Sequence, residues 1–215
     1  MRIPIHRDGW RFIALFLAVD ILLFALSPWA ALAFAPFALW CVAFFRDPDR
    51  VTPAGPGLIV SPADGKLLPI LQAVPPPELG LGPEPRLRLS IFMDVFNVHV
   101  NRMPIDGRVI ALNYRKGRFF NASFDKASEH NERMSIRIRS EQRDATDDLA
   151  VVQIAGLVAR RIRCDLVLGQ HVGRGERFGI IRFGSRLDVY LPPGTIVLAK
   201  NQRVRAGATV LAKFQ

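Results

Sequence analysis

The sequence predicts a mostly β domain, barrel- or sandwich-like, behind an N-terminal apolar helical hairpin, with an α+β arrangement as the alternative for the domain. Three observations carry that prediction. Two long apolar runs open the chain, separated by Ser27-Pro28. From Leu58 onward the apolar residues recur with the period of strands rather than helices. Gly and Pro punctuate these later runs at short spacing, as tight strand connections require.

The hairpin comes first. Trp10 to Leu26 is apolar apart from Arg11 and Asp20, and Trp29 to Phe45 carries no charge. Each run reaches ~26 Å as a helix, against a hydrocarbon core of ~30 Å. Arg2, Arg7 and Arg11 precede the first run, while Arg46 and Arg50 follow the second. Positive charge on both flanks predicts that both ends stay on the cytoplasmic face, so that the pair enters the membrane as a hairpin or wedge. Trp10, Trp29 and Trp40 lie near run ends, where interfacial anchors sit. Asp20 is expected to face the partner helix, a dimer partner or the interface, because lipid penalises it. A secretory signal would use Ala31-Leu-Ala33, but a second apolar run follows at once and Asp20 interrupts the first. A hairpin buried in a soluble core is the other rival.

Residues 1–46 therefore form one segment and 47–215 the β-rich domain, with Arg46-Asp-Pro-Asp-Arg50 and the Pro/Gly stretch to Gly57 as linker. Within the domain, Arg86 to Phe92, Met134 to Arg139 and Val204 to Val210 alternate as half-buried strands do. A further alternating strand is expected from Leu89 to Val100. Leu149 to Ile154 reads as a short, continuously apolar run, suiting a strand covered on both faces. Val74 to Pro83 reads as a loop and Glu141 to Asp148 as a charged surface loop.

Half of the 215 residues are hydrophobic, enough for a core without disulfides. Cys41 and Cys164 stand far apart without metal-ligand spacing, so both are expected as free thiols in a reducing cytoplasm. The net charge of +10 suits nucleic acid or an anionic membrane surface. No basic-aromatic nucleic-acid module occurs, which favours lipid.

Candidate chemistry gathers at three points. Ser185 follows Gly184, whose carbonyl lacks a flanking Cβ and is open to attack by the neighbouring hydroxyl; taken alone, Gly-Ser is also an ordinary turn. His99 is the best base by residue type, on the strand face with Ile91, Met93, Val95 and Asn97, although a hydrogen-bonded core histidine explains it too. Asp64 sits in Pro62-Ala-Asp-Gly65, between two strand candidates, where a hairpin turn is the plain explanation.

Longer segments decide between these readings. Ser61-Pro-Ala-Asp-Gly-Lys66, Phe96 to Pro104, Tyr114 to Asn121 with Asp125 to Arg133, Gln153 to Cys164 and Gly179 to Arg186 resemble, in order, five segments of phosphatidylserine decarboxylases of the short bacterial type. The resemblance implies a precursor that cuts itself between Gly184 and Ser185 into a heavy chain, 1–184, and a light chain, 185–215. Ser185 would become a pyruvoyl group that forms a Schiff base with phosphatidylserine and releases phosphatidylethanolamine, with no pyridoxal phosphate and no metal. His99 would be the base for self-cleavage and a candidate proton donor in decarboxylation, and Asp64 would orient it. The hairpin and the basic charge point to the cytoplasmic face of the cell membrane, with anionic lipid as a partner, and a homo-oligomer is expected. Phe96 departs from longer members, which carry a second histidine there, and so leaves the proton donor open among His99, Asn97, another side chain or water. Arg102, Arg115, Lys116 and Arg118 lie in or near the matching segments, but none is assigned to the substrate phosphate or carboxylate. His130 and His171 are expected at the surface and His6 in the basic membrane flank. The alternative from another class is a noncatalytic, membrane-tethered β domain that binds acidic lipid or a partner.

Overall fold

The computed structural model describes residues 4–117, 131–140, 148–156, 161–182, 184–200 and 202–215. The chain divides into two compact units, Met1–Asp49 and Arg50–Gln215.

In the first unit a short 3-10 turn, Arg7–Gly9, leads into α1 (Trp10–Leu26), and α2 (Pro28–Phe44) follows after a single residue. That residue, Ser27, is extended (φ −161°, ψ 120°), and Pro28 opens α2 at a position that needs no backbone N–H. The two helices pack through Phe16 on Phe34 (ring centroids 5.7 Å apart), and Phe12 stacks on Phe45 at 5.4 Å. The open end is tied by His6 N–H to Phe45 O (2.8 Å) and Asp47 N–H to Pro4 O (2.7 Å). Gly9 permits this closure, since a Cβ there would stand 2.5 Å from Phe45 Cβ. Most of the hairpin's large side chains remain outside: Ile21, Leu26 and Trp29 are at least 70% exposed. Arg7–Leu26 is a 20-residue helical stretch containing an 18-residue window of mean hydropathy 2.0, long and apolar enough to cross a membrane. Asp20 joins Phe24, Trp29, Leu32 and Ala35 in lining a depression between the helices, in line with its expected direction.

The second unit is built from strands in three sheets. The largest runs β10 (His171–Val172), β6 (Gly107–Arg115), β7 (Arg133–Ser140), β8 (Leu149–Ala155), β12 (Ser185–Tyr190), β4 (Arg86–Met93), β2 (Gly65–Leu67), β14 (Arg203–Val204), with β3 (Leu71–Ala73) also on β4. A second sheet joins β5 (Val100–Arg102), β11 (Arg177–Ile181) and β9 (Ile162–Cys164). The third joins β1 (Leu58–Val60), β15 (Val210–Lys213) and β13 (Ile196–Val197). Every strand pair among the described residues is antiparallel.

Three expectations change here. The strand expected from Leu89 to Val100 breaks after Met93: Asp94 accepts from Phe96 N–H (2.8 Å) and Asn97 caps Asp94 N–H (2.9 Å), a polar turn that outcompetes the ladder. The chain resumes as β5 in a different sheet. Val204 to Val210 is likewise two strands, because Gly207 turns at φ 70° between them. Asp148 is fully buried rather than part of a surface loop, where it accepts from Arg137 Nε (2.7 Å) and Arg139 Nε (3.1 Å); residues 141–147 lie outside the described ones. The expected buried strand is β8, covered throughout, and Cys41 and Cys164 are both free thiols.

Candidate active site

β12 lies at the heart of the large sheet, paired along its whole length with β4 on one side and β8 on the other. Alternation sends Ser185, Leu187 and Val189 to one face and Arg186, Asp188 and Tyr190 to the other. The first face is core: Leu187 pairs with Ile91 and Gln153, Val189 with Leu89 and Val151. Ser185, at the head of the strand, pairs with Met93 and Ala155 and is 0% exposed. Its hydroxyl lies 3.8 Å from Met93 Sδ.

The residue before it holds an unusual backbone. Gly184 sits at φ 73°, a left-handed conformation that costs any residue with a Cβ about 1–2 kcal/mol. Beyond its two chain neighbours, a Cβ built there meets no described atom within 4 Å. Backbone twist is a reason for glycine here that the sequence did not announce. The carbonyl oxygen of Gly184 accepts from Gly156 N–H at 3.1 Å.

The second sheet covers this face. Asn101 of β5 is completely buried; its Nδ2 lies 3.8 Å from Met93 Sδ, and its Oδ1 accepts from Gln153 Nε2 at 2.8 Å. Thus Ser185 and Asn101 share one sulfur. His99 lies just before β5, and alternation gives it the same side of the backbone as Asn101. It too is 0% exposed, its carbonyl accepts from Ile181 N–H at 3.4 Å, and its Nδ1 lies 3.0 Å from Asn97 O. A ring nitrogen facing a carbonyl carries the proton, which leaves the lone pair on Nε2.

Asp64 comes from the turn before β2. Arg102 N–H donates to Pro62 O (2.9 Å), which fastens that turn to β5 and so to the segment carrying His99. The Asp64 carboxylate accepts from Arg50 Nη2 (2.9 Å) and from Ala206 N–H (2.7 Å). Gly65 is not there for a hairpin turn: a Cβ would collide with Phe92 O across the β2–β4 ladder. Phe96 is 71% exposed in the polar turn. Arg102 is buried with Nη1 on Gly175 O (2.9 Å), Arg115 and Lys116 are exposed, and Arg118 and His130 fall outside the described residues. His171 is exposed against Arg108, and His6 caps the first turn by accepting from Asp8 N–H.

The reverse face of β12 was missed by sequence reasoning. Arg186 and Asp188 form a fully buried ion pair (Nε to Oδ1, 2.8 Å) directly behind Ser185. Two charges spaced by two within an apolar run were the available signal. Farther along, a cavity of about 530 Å³ is lined by residues including Pro75, Pro76, Arg88, Arg133 and Tyr190. Arg133 is held there by Glu78 at 2.8 Å, and burial with the nearby charge of Asp188 pushes the Tyr190 hydroxyl up to about 12. The cavity opens on the face turned away from Ser185, as the pairing of Tyr190 with Arg88 requires. Asn101 and Gln153 were likewise unremarked, although a carboxamide inside the apolar run of β8 is itself a signal.

Comparison with known proteins now bears on this geometry. The family model for phosphatidylserine decarboxylase matches residues 37–212. The chain is 54% identical over 213 residues to the phosphatidylserine decarboxylase proenzyme of Paramagnetospirillum magneticum, covering 97% of this chain and 86% of that one. It is 55% identical over 212 residues to the proenzyme of the same name from Cereibacter sphaeroides, covering 97% and 89%. With the one from Rickettsia bellii it shares 51% over 211 residues, covering 98% and 90%. The chain belongs to the phosphatidylserine decarboxylase family of carboxy-lyases.

Proposed function

We propose that this chain is a precursor that cuts itself between Gly184 and Ser185, into residues 1–184 and 185–215, and then converts phosphatidylserine to phosphatidylethanolamine. The observation that carries the reading is the junction itself, where a left-handed glycine hands over to a fully buried serine at the head of the central strand. The Ser185 hydroxyl adds to the adjacent Gly184 carbonyl carbon. The C–N bond then breaks, and the freed nitrogen takes a proton, leaving an ester. Removal of the Ser185 Cα proton makes a Cα=Cβ double bond and expels Gly184 as a carboxylate. Water then replaces the nitrogen, released as ammonia, with a ketone oxygen. Burial matters to this order of events, because water at the ester would restore serine instead of allowing elimination.

His99 is the base in this scheme. The contact of its Nδ1 with Asn97 O favours the tautomer whose Nε2 accepts the hydroxyl proton. Asp64 is the orienting carboxylate, on a turn pinned to the β5 backbone. The residues around position 185 suit a ketone: Met93, Ala155 and Leu187 wall it with apolar atoms. The pyruvoyl group would supply a carbonyl that accepts the electron pair left when carbon dioxide departs. His99 Nε2 is the group this chain offers to return a proton to the substrate carbon.

Cleavage need not release the shorter piece. β12 is laddered to β4 and β8, β14 to β2 and β15 to β1, so three strand sets hold residues 185–215 against the rest. The apolar hairpin supports a membrane-associated enzyme on the cytoplasmic face, where a two-chain lipid stays in the bilayer and the site must come to it.

Intact mass measurement on protein purified from membranes tests this, alongside Ser185→Ala. Two pieces are expected from the native chain, the smaller blocked to Edman degradation. The variant should fold, remain whole and leave phosphatidylserine untouched. An uncut chain that retains serine at 185 and still releases carbon dioxide from the lipid would overturn the reading.

A further inference from the structure

The carbonyl at the Gly184–Ser185 junction has a donor already in place. Gly156 N–H points at Gly184 O from 3.1 Å, at the point where β8 runs out beside Ser185. Gly156 is buried, and the residue before it is fixed at both backbone groups. Ala155 N–H donates to Glu132 O (2.9 Å), and Ala155 O accepts from the Asn131 side chain (2.7 Å). Asn131 and Glu132 are themselves buried, and Glu132 Oε1 also receives Ile162 N–H at 3.3 Å. The end of β8 is therefore braced from the side opposite Ser185, and the Gly156 N–H is held where it is.

We propose that Gly156 N–H is the oxyanion donor of self-cleavage, an inference that rests on the proposed cut at Gly184–Ser185. When Ser185 Oγ bonds to the Gly184 carbon, the carbonyl π pair moves onto Gly184 O and the hydroxyl proton passes to His99. When the adduct collapses, the C=O bond re-forms, the C–N bond breaks and the nitrogen takes the proton. Gly184 O is neutral at both ends and carries charge only between them. A hydrogen bond to a charged oxygen is roughly twice as strong as one to a neutral carbonyl, so this contact stabilises the adduct more than the precursor or the ester. A strand ladder elsewhere holds neutral carbonyls throughout; here the ladder's terminal bond falls on the one carbonyl that is attacked. The left-handed turn at Gly184 provides the alignment, carrying the carbonyl toward β8 as the chain enters β12. Elimination of the ester leaves the same oxygen in a carboxylate, which the donor continues to hold.

The test deletes the N–H while keeping the shape, by replacing Gly156 with glycolic acid so that the 155–156 amide becomes an ester; Gly156→Pro is the genetically simpler second variant. The appearance of residues 185–215 is followed by intact mass in the full chain, with and without hydroxylamine to trap the Ser185 ester. Loss of one oxyanion donor should slow cleavage by ~10²–10³-fold. Hydroxylamine should not restore the rate, because the missing step precedes the ester. Melting of the same change in a Ser185→Ala background shows whether the fold survives. If the native chain itself never cuts, the self-cleavage reading fails; if it cuts and the folded variants keep pace within about threefold, this inference alone fails. Should neither variant fold, hydrogen exchange at Gly156 in uncut Ser185→Ala decides: a protected amide supports the assignment, and free exchange ends it.

Discussion

Gly184→Ala isolates the backbone term at the proposed cut site. Beyond its two chain neighbours the added methyl meets no described atom within 4 Å, so a clash with the packed sheet does not enter the comparison. What remains is φ 73°, which costs an L-residue about 1–2 kcal/mol where glycine pays nothing. If the chain keeps its twist, the precursor loses that much stability. If it relaxes to a negative φ, the reactive arrangement is depopulated by the same energy, a factor of roughly 5–30. Cutting of freshly synthesised precursor, sampled over time by intact mass, should therefore slow by about that factor in Gly184→Ala. Gly184→Asn is bulkier but tolerates the left-handed region, and should cut faster than the alanine variant. Should asparagine prove slower than alanine, side-chain bulk governs the site and the backbone argument is wrong. An alanine variant that cuts and melts like the native chain would refute it equally.

Three further variants test the remaining assignments. Asp64→Asn should slow cutting by ~10²-fold or more if the carboxylate stabilises a protonated His99; an unchanged rate removes Asp64 from the machinery. Arg50→Gln removes the guanidinium 2.9 Å from that carboxylate, and a full reproduction of the loss would mean that Asp64 acts by holding its turn. Deleting residues 1–45 should abolish flotation with anionic vesicles while leaving self-cleavage within severalfold of normal, and a truncated chain that still floats would displace the hairpin as the anchor.

The hairpin was legible because its signals are local. Apolar length and the Ser27-Pro28 break lie within a few residues of what they determine, and α1 begins and ends where the apolar run does. Strands β4, β7 and β8 were legible for a related reason: alternation or continuous apolarity reports directly on whether one or both faces are covered. The single strand expected through Leu89 to Val100 failed on a competition that periodicity does not register. Asp94 and Asn97 satisfy one another's neighbourhood in a turn, and the apolar pattern continues on its far side in another sheet. That break gives His99 and Ser185 separate elements on facing sheets, whereas one long strand would have kept them on neighbouring ladders of the same sheet.

The candidate residues were readable as types, but their partners were not. Nothing near Asp64 in sequence announces Arg50 and Ala206 as the groups its carboxylate meets, and nothing near Gly184 announces Gly156. These contacts are made by chain segments that only the sheet order brings together. The same order explains why a cut could be tolerated at this place. Broken between Gly184 and Ser185, the chain parts just ahead of a strand that two neighbours and the later strands continue to hold. A cut inside β12 would sever ladder bonds on both sides, and one several residues earlier would leave the new end away from the sheet opposite His99 and Asn101. The strand's first residue meets both demands at once: its peptide bond stands at the end of the ladder, where Gly156 N–H makes the last bond, while its side chain is already in the core.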